Sequence, residues 1–443
     1  MNENALAKQF TTGSLLGFAL PNICMMVFLS LYTIVDGMFV SRLVGTLALS
    51  AMNMSWPLSS VELGVSIMLA TGGSAIIARK LGEGKEEQAR QNFSFLLWTS
   101  LAVGVVFNLL CLLFLEPILH LLGTSAAQMP DCLAYTRLIL IFSPAMFLQT
   151  LFQTFFVTAG KPGLGLGVTV SGGVANIILD YLFMGPMGMG VEGAAIATGI
   201  GYLIPAVFGL VYFSVVRTGS LYLVRCGCYG GMLLRACGNG SSEMVTNVAN
   251  AVTTFLFNII FLEFWAEDGV AAITIVMYFQ FVFSSVFLGF SMGVAPVISY
   301  KYGAQDRAQL HHIVTVCLRF ILGCSLGMYA LSRWSIGTLL SIFTHPEGHV
   351  FAIAMEGFPI YATAFLLMGV SIFASAMFTA FSNGAVSAVI SFARTLVFLV
   401  GSLLLLPKLL GHLGIWLAVP VAEGLGLLVS VSFLLWGRKR YHY

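Results

Sequence analysis

Charged side chains are scarce in this chain of 443 residues. Asp, Glu, Lys and Arg make up 9% of the sequence and hydrophobic residues 58%, whereas roughly a quarter of a typical soluble protein is charged. With so few charges the chain cannot give a fold a polar surface, which excludes a water-soluble protein. Because a membrane-spanning helix needs about 20 apolar residues, the length fits roughly a dozen spans joined by short loops.

Several motifs that define other classes of protein are also missing. The net charge is +2 and no dense basic run with interleaved aromatic residues occurs, so we expect no nucleic-acid partner. There is no G-x-x-x-x-G-K-[ST] motif, which argues against ATP as an energy source. Neither a His-rich metal set nor a nucleophile with a neighbouring base is present. We therefore expect no enzymatic activity, no cofactor and no structural metal.

The sequence does contain long apolar stretches separated by Gly, Pro and charged clusters. These stretches lack the alternation of polar and apolar residues that marks a membrane β-barrel, so they predict an all-α integral membrane protein of about twelve transmembrane helices. The predicted spans are residues 13–40, 46–78, 92–115, 132–158, 162–185, 191–216, 241–264, 270–300, 312–335, 350–380, 385–407 and 413–436.

The distribution of Lys and Arg predicts the orientation in the membrane, because short loops rich in these residues stay in the cytoplasm. The residues on the basic side are Lys8, Arg79, Lys80, Lys85, Arg90, Lys161, Arg217, Arg225, Arg235, Lys301, Arg307, Arg319, Arg438, Lys439 and Arg440, against Arg42, Arg137, Arg333 and Lys408 on the other. We therefore expect both termini in the cytoplasm. Residues 217–240 are predicted to form a cytoplasmic linker between an N-lobe, residues 1–216, and a C-lobe, residues 241–443.

The two predicted lobes repeat one another at a constant offset of 221 positions. The matching pairs are Thr158-Ala159 with Thr379-Ala380, Lys80-x-Gly82 with Lys301-x-Gly303, and Gly190-x-x-Gly193 with Gly411-x-x-Gly414. Since each lobe has six spans, the repeats run parallel and are related by an axis along the membrane normal. We expect the substrate to bind between the lobes.

Two carboxylates lie within the predicted spans of the N-lobe. Asp36 in span 1 and Asp180 in span 5 lie four and five residues from the outer ends of their helices, roughly 6 to 8 Å below the membrane boundary. A charged side chain at the bilayer centre costs about 2.5 to 3.5 kcal/mol on insertion scales, and no Lys or Arg deep in the same half compensates it. Acids of this kind mark ion pathways.

Asn176 and Thr198 are predicted to join the two acids. Asn176 precedes Asp180 by one helical turn and shares its face, and Thr198 in span 6 reaches a depth of about 10 Å. Together these side chains supply hard oxygen ligands for Na⁺, or a carboxylate pair that shares a proton. Either ion would couple transport.

The alternative is that this polar set only links helices to one another, as polar groups do in membranes. The repeat argues against it. At the offset of 221, Asn176, Asp180 and Thr198 correspond to Val397, Gly401 and Val419. The C-lobe has lost the polar set, so the symmetric architecture does not require it.

Other N-lobe positions carry weaker signals. Pro21 in span 1 removes a backbone donor and predicts either a static bend or a hinge. Glu62 in span 2 and Gln149 and Gln153 in span 4 are candidates for the lining of a substrate cavity, because polar groups in apolar spans need a partner or a ligand.

In the C-lobe, Arg394 of span 11 and Glu423 of span 12 are predicted to form a structural ion pair rather than a substrate site. Glu243 lies at the predicted cytoplasmic start of span 7, where we interpret it as a charge at a helix N-terminus rather than a ligand.

The most specific information lies in a set of short motifs distributed over nearly the whole chain. They are Pro21 with Asp36-Gly37, Gly72-Gly73-Ser74 leading to Arg79-Lys80-Leu81-Gly82-Glu83-Gly84, Asn176-x-x-x-Asp180, Gly190-x-x-Gly193-Ala194-Ala195 leading to Thr198, and Gly293-x-Ala295-Pro296 leading to Tyr302-Gly303-Ala304. With these motifs the sequence resembles the multidrug and toxic compound extrusion (MATE) family, and within it the bacterial DinF-like and related prokaryotic members.

The resemblance implies a V-shaped antiporter of two six-helix lobes that exports cationic amphiphilic compounds in exchange for H⁺ or Na⁺. Asp36, Asn176, Asp180 and Thr198 match the family's N-lobe cation site, and Pro21 matches the bend of its first helix. Some members also use an acid in the C-lobe. This chain shows no obvious equivalent deep in spans 7 or 10.

One rival function belongs to the same superfamily, a flippase for lipid-linked oligosaccharides. It would need cationic residues facing the cavity to bind pyrophosphate, and Arg394 alone offers little support. For either function we expect a monomeric, multi-pass protein of the plasma membrane. Its expected partners are the lipid bilayer and a small organic substrate, with H⁺ or Na⁺ as the coupling ion.

Overall fold

The computed structural model describes residues 5–345 and 348–443, within which all regular secondary structure is helical. The N-terminal half contains α1 (Thr12–Phe39), α2 (Thr46–Gly82), α3 (Glu86–Leu113), α4 (Leu115–Leu121), α5 (Met129–Ile141), α6 (Ser143–Thr158), α7 (Pro162–Met184) and α8 (Gly190–Val215). The C-terminal half contains α9 (Gly230–Gly303), α10 (Arg307–Phe343), α11 (His349–Tyr361), α12 (Ala364–Ala380), α13 (Gly384–Phe392), α14 (Leu399–Leu410) and α15 (His412–Tyr441). Short π-helical segments, Val40–Val44 and Ala393–Phe398, follow α1 and α13.

Within the described ranges these helices form twelve membrane spans. Nine helices are long and apolar enough to cross a bilayer, and two bent pairs, α5 with α6 and α11 with α12, raise the number to eleven. The 74-residue α9 contains two membrane spans. They are separated by a kink at Trp265 and Ala266, which are not helical, and Ala266 has φ 51°. The predicted all-α fold of about twelve spans is confirmed.

Spans 4 and 10 are broken, although the sequence indicated continuous helices over 132–158 and 350–380. Each bends by 54° between its two helices. In span 4 the break is at Phe142, and Pro144 lies in the first turn of α6 that follows. Proline favours this position because its missing N–H would be unpaired there in any case. The N-terminus of α6 therefore lies inside the membrane.

Span 7 begins earlier than its predicted start near residue 241. The helix α9 starts at Gly230, so the non-helical connection after α8 covers residues 216–229. The prediction that Glu243 lies at the N-terminus of the helix of span 7 was wrong. Glu243 lies 13 residues after Gly230, which corresponds to about 20 Å along the helix axis.

Both lobes pack corresponding spans in the same register. In the N-lobe, spans 2 and 4 are joined by a 2.6 Å hydrogen bond between the hydroxyl groups of Ser55 and Thr136, which are 81 positions apart. In the C-lobe, spans 8 and 10 are joined at the same separation of 81 positions, where Tyr361 donates a hydrogen bond to Gln280. Spans 8 and 10 are the counterparts of spans 2 and 4, so the two six-helix lobes share one packing plan.

The lobes meet where α2 crosses α9. A Cβ atom on Gly82 would lie 2.0 Å from the carbonyl oxygen of Tyr300, and one on Gly303 would lie 2.2 Å from that of Arg79. The offset of 221 carries the first contact onto the second, so the repeat generates both. Both contacts lie at the end of the bundle that carries most of the Lys and Arg residues, among them Lys80 and Lys301. We call this end the basic end. Small residues of this kind let membrane helices approach closely.

A second set of close contacts lies about three to four turns farther along α2 from Gly82, where α2 meets the first half of α9. A Cβ atom on Gly72 would lie 2.0 Å from the carbonyl oxygen of Ala236, and one on Gly240 would lie 2.0 Å from that of Met68. We call these four positions and the Gly82 and Gly303 contacts the glycine seam between the lobes.

The segment before α1 joins the first half of the chain to the second at the basic end. The Lys301 ammonium donates a hydrogen bond to the carbonyl oxygen of Ala7 at 3.0 Å, and the Phe10 N–H donates to the side chain of Gln309 at 2.9 Å. Phe10 is 1% exposed and packs in the same apolar cluster as the C-lobe core. The basic end is therefore closed by both backbone contacts and side-chain hydrogen bonds.

We predict that Gly82→Ala and Gly303→Ala each destabilise the protein by about 1–3 kcal/mol, because an added methyl group would overlap a backbone carbonyl that cannot move freely. Thermal unfolding of the purified protein in detergent measures the effect. Gly323→Ala is the matched control, since nothing lies within 4 Å of the added carbon and alanine is the better helix former. Equal midpoints for all three variants would contradict the glycine seam.

Candidate functional site

Asp36 and Asp180 come together inside the N-lobe. Asp36 lies on the last turn of α1 and Asp180 near the end of α7, and their exposed fractions are 9% and 0%. The two carboxyl groups lie beside each other, within hydrogen-bonding reach. The helices can approach because α7 has Gly173 at the crossing, where a Cβ atom would lie 2.4 Å from the ring of Phe28.

Asn176 and Thr198 complete this group of side chains. The Asn176 amide donates a hydrogen bond to the Thr198 hydroxyl at 3.3 Å and also lies beside Asp180. Glycines again allow the approach of the helices, since a Cβ atom on Gly172 of α7 would lie 2.7 Å from the carbonyl oxygen of Gly201 on α8. The structure thus gathers the four residues that the sequence singled out. We call Asp36, Asn176, Asp180 and Thr198 the acid cluster.

Several oxygen atoms of the acid cluster have no hydrogen-bond donor at normal distance among the residues that the structure describes. These buried atoms are Oδ1 of Asp36, both carboxylate oxygens of Asp180 and Oδ1 of Asn176. The charged groups that act on the two acids include no Lys or Arg. Buried acceptors without a partner are costly, and a buried charge without a counter-charge is more so. The arrangement therefore favours uptake of a proton between the carboxyl groups or of a small cation among the oxygens.

Three tyrosines that sequence reasoning missed surround the acid cluster. The charges of Asp36 and Asp180 act on Tyr32 and Tyr135, and that of Asp36 also acts on Tyr202. Tyr32 lies one turn before Asp36, and Tyr202 lies one turn after the threonine of the cluster. Helical periodicity could have identified both, whereas Tyr135 reaches the site from α5 through tertiary packing alone.

The end of α1 beyond Asp36 is irregular. The π-helical segment Val40–Val44 follows directly, and the N–H of Val40 bonds to the carbonyl oxygens of both Asp36 and Gly37. Such turns recur at functional sites. At the other end of the span, α1 runs through Pro21 as one helix, and the role of this proline as a hinge stays a prediction.

The three candidates for a substrate cavity lie on α2 and α6. Glu62 is 3% exposed and accepts a hydrogen bond from the Ser143 hydroxyl. Gln149 and Gln153, one turn apart on α6, each have one buried amide atom without a partner, Oε1 and Nε2 respectively. Unpaired amide groups can bind a polar ligand, and their role in substrate binding stays a prediction.

Arg394 and Glu423 form the predicted ion pair between α15 and the π-helical segment Ala393–Phe398. The guanidinium donates two hydrogen bonds to the carboxylate, at 2.7 and 2.8 Å. Both side chains are largely buried, at 15% and 6% exposure. Because the pair is bidentate, the charges neutralise each other within the C-lobe.

The charge of Arg394 acts on the Glu243 carboxyl group. Glu243 also lines a small cavity between the lobes. The cavity has a volume of about 30 Å³, room for one water molecule. Residues of both lobes line it, among them Thr71 and Thr154 of the N-lobe and Thr379 of the C-lobe. The cavity lies beside the glycine seam and is too small for an organic substrate in this conformation.

Comparison with known proteins agrees with this architecture. The family model described as MatE matches residues 21–182 and 243–404, one segment in each lobe. A curated relative, the multidrug export protein MepA of Staphylococcus saprophyticus, is 23% identical over 426 residues, which cover 96% of this chain and 93% of that protein.

Solved structures have the same fold. A MATE protein in complex with MaL6 superposes with a TM-score of 0.92 at 21% identity, covering 100% of this chain and 99% of that one. The outward-facing conformation of a multidrug resistance MATE family transporter superposes with a TM-score of 0.91 at 21% identity, covering 100% of this chain and 98% of that one.

We predict that Glu423→Ala lowers the free energy of unfolding by about 3–5 kcal/mol, because it leaves the Arg394 guanidinium buried without its counter-charge. The double variant Arg394→Met with Glu423→Leu replaces both charges with apolar groups and should recover most of this loss. Thermal unfolding in detergent compares the three proteins. If Glu423→Ala were as stable as the unmodified chain, the ion pair would not contribute to stability.

Proposed function

Because this chain belongs to the MATE family, whose family model matches both of its lobes, we propose that it exports small organic cations across a bacterial cell membrane in exchange for H⁺ or Na⁺. The observation that carries the proposal is the acid cluster, two adjacent buried carboxyl groups without a basic partner. Intramembrane acids in such surroundings serve ion pathways. The name of the staphylococcal relative, a multidrug export protein, supports the class of cargo.

Coupling takes place at the acid cluster in this mechanism. An ion that enters from the outer side neutralises Asp36 and Asp180, and the end of α1 then rearranges, with Pro21 acting as the hinge. Cargo leaves outward, and release of the ion to the cytoplasm resets the protein. A coupling ion can shift the conformational equilibrium only if it binds one conformation more tightly than the other. The unpaired oxygens of the cluster provide that difference.

The contacts between the lobes support alternating access. In this conformation the lobes are held together at the basic end, where α2 crosses α9 at the glycine seam and Lys301 is bonded to the N-terminal segment. The basic end faces the cytoplasm by the rule that positive loops stay inside, so the cytoplasmic side is closed. Opening that side requires the seam to separate.

The energy available suffices for uphill export. Each charge that moves down the membrane potential contributes about 2.3 kcal/mol per 100 mV. One net charge entering per cycle therefore supports a concentration gradient of cargo of about fifty-fold at 100 mV, since each 1.4 kcal/mol corresponds to a factor of ten.

The flippase alternative receives no further support from the site. Pyrophosphate recognition needs exposed cationic groups, and the Arg394 guanidinium is engaged by Glu423 in both of its short hydrogen bonds. The buried polar atoms without a partner in the described part of the N-lobe include acids, amides and hydroxyl groups but no Lys or Arg, which suits a cationic cargo.

We predict that Asp36→Asn and Asp180→Asn each abolish uphill export while leaving the protein expressed and folded, because an amide keeps the shape of the side chain but cannot bind a proton or neutralise Na⁺. Efflux is measured in reconstituted vesicles with a fluorescent cationic dye, driven separately by a pH jump and a Na⁺ jump. The jump that drives export identifies the coupling ion.

Glu192→Gln provides the control for these variants. Glu192 is an exposed acid in the first turn of α8, away from the acid cluster, and its substitution should leave export unchanged. Uphill transport that persists in both aspartate variants would refute the assignment of the cluster.

A further inference from the structure

A second acidic position in the N-lobe is not used by the mechanism above. Glu62 lies near the middle of α2, 16 residues after Thr46 and 20 before Gly82, so it lies near mid-membrane depth. It is 3% exposed. A permanent charge there is expensive unless a partner compensates it.

The surroundings of Glu62 contain a hydroxyl group and a helix end but no positive side chain. Its only hydrogen bond in the described part of the chain joins it to the hydroxyl of Ser143, and no Lys, Arg or His acts on its charge. Ser143 is the first residue of α6, directly after the break in span 4. The N-terminus of a helix within a membrane carries a partial positive charge and unpaired N–H groups. These stabilise an anion at Glu62 in part, without neutralising it.

The titratable groups that face Glu62 are Cys111 of α3 and Tyr202 of α8. The charge of Glu62 acts on both. Both are neutral at ordinary pH. The charge of Asp36 also acts on Tyr202, so this tyrosine lies near both Glu62 and the acid cluster.

We propose that Glu62 is a proton-binding site in its own right, separate from the acid cluster, so that the N-lobe holds protonatable carboxyl groups at two places near Tyr202. The bound species is a proton rather than a metal ion, because a hard cation needs several oxygen ligands and Glu62 has one hydroxyl neighbour. In the protonated form the Glu62 hydroxyl and Ser143 hydroxyl share a hydrogen bond within a neutral pair. In the ionised form the Ser143 hydroxyl donates to the carboxylate. The participation of this proton in transport rests on the export function proposed above; its binding does not.

Infrared spectroscopy at a series of pH values tests proton binding without any transport. The C=O stretching band of a protonated carboxyl group buried in protein differs from those of exposed acids, and it disappears when the group ionises. The full-length protein carries Asp36→Asn, Asp180→Asn and also Glu243→Gln, because Glu243 is a further buried acid. In this variant, reconstituted in lipid vesicles, we expect one buried carboxyl band that still titrates. Adding Glu62→Gln should remove that band, whereas adding the exposed control Glu192→Gln should leave it.

Two further measurements test the role of the Ser143 hydrogen bond and the identity of the bound ion. Ser143→Ala removes the hydrogen bond but keeps the acid, so the band should persist and titrate at a different pH. Added Na⁺ at constant pH should leave the band unchanged. Absence of the band from the variant that lacks Asp36, Asp180 and Glu243, its survival after Glu62→Gln, or its loss on addition of Na⁺ would each overturn the proposal.

The number of protons exchanged per cargo molecule tests participation in transport. In reconstituted vesicles with a pH indicator, Glu62→Gln in the otherwise unmodified chain should lower this number by one. An unchanged number would show that the Glu62 proton takes no part in the cycle. If the unmodified chain moves no dye at all, the export function fails, while the infrared result still decides whether Glu62 binds a proton.

Discussion

Two carboxyl groups held side by side in a low-dielectric interior, without a basic partner, are the constraint on which the N-lobe depends. Asp36 and Asp180 reach this position because Gly172 and Gly173 allow α7 to pack tightly against α8 and α1. Mutual repulsion and desolvation both oppose full ionisation there. A shared proton or cation would stabilise the pair, and in the proposed mechanism its uptake changes the conformation of these helices. The end of α1, with its π-helical turn directly after Asp36, is the element closest to that change.

The symmetry of the scaffold contrasts with the asymmetry of its charges. Spans 2 and 4 of the N-lobe pack in the same register as spans 8 and 10 of the C-lobe, with hydrogen-bonded residues 81 positions apart in each. At the repeat offset of 221, however, Arg394 occupies the place of Gly173, and Glu423 the place of Tyr202. The C-lobe therefore contains a neutralised ion pair where the N-lobe contains an unneutralised acid site. Substitution at a few positions of a repeated fold thus gives the two lobes different charges within the same helix packing.

Backbone irregularities place polar groups where regular helices could not. The break at Phe142 brings a helix N-terminus to the centre of the membrane beside Glu62, and the glycine seam brings backbones into direct contact between the lobes. In a membrane, where apolar surfaces gain little from being buried against each other, such close packing and a few polar contacts determine association. A seam of this kind holds the lobes firmly when aligned and loses most of its contacts after a small separation, as the proposed alternating access requires.

The sequence by itself determined the twelve spans, the repeat and the four residues of the acid cluster, because hydrophobic length, helical periodicity and the cost of a buried charge are local properties. It also predicted the Arg394–Glu423 pair from opposite charges on neighbouring spans. Only the tertiary structure decided that spans 4 and 10 are broken, that Glu243 lies well inside α9, and that Ser143 is the partner of Glu62. Tyr135 likewise joined the site from a helix whose neighbours no local pattern specifies. These features depend on which helices touch and at what height, and that is set by packing between residues far apart in the chain.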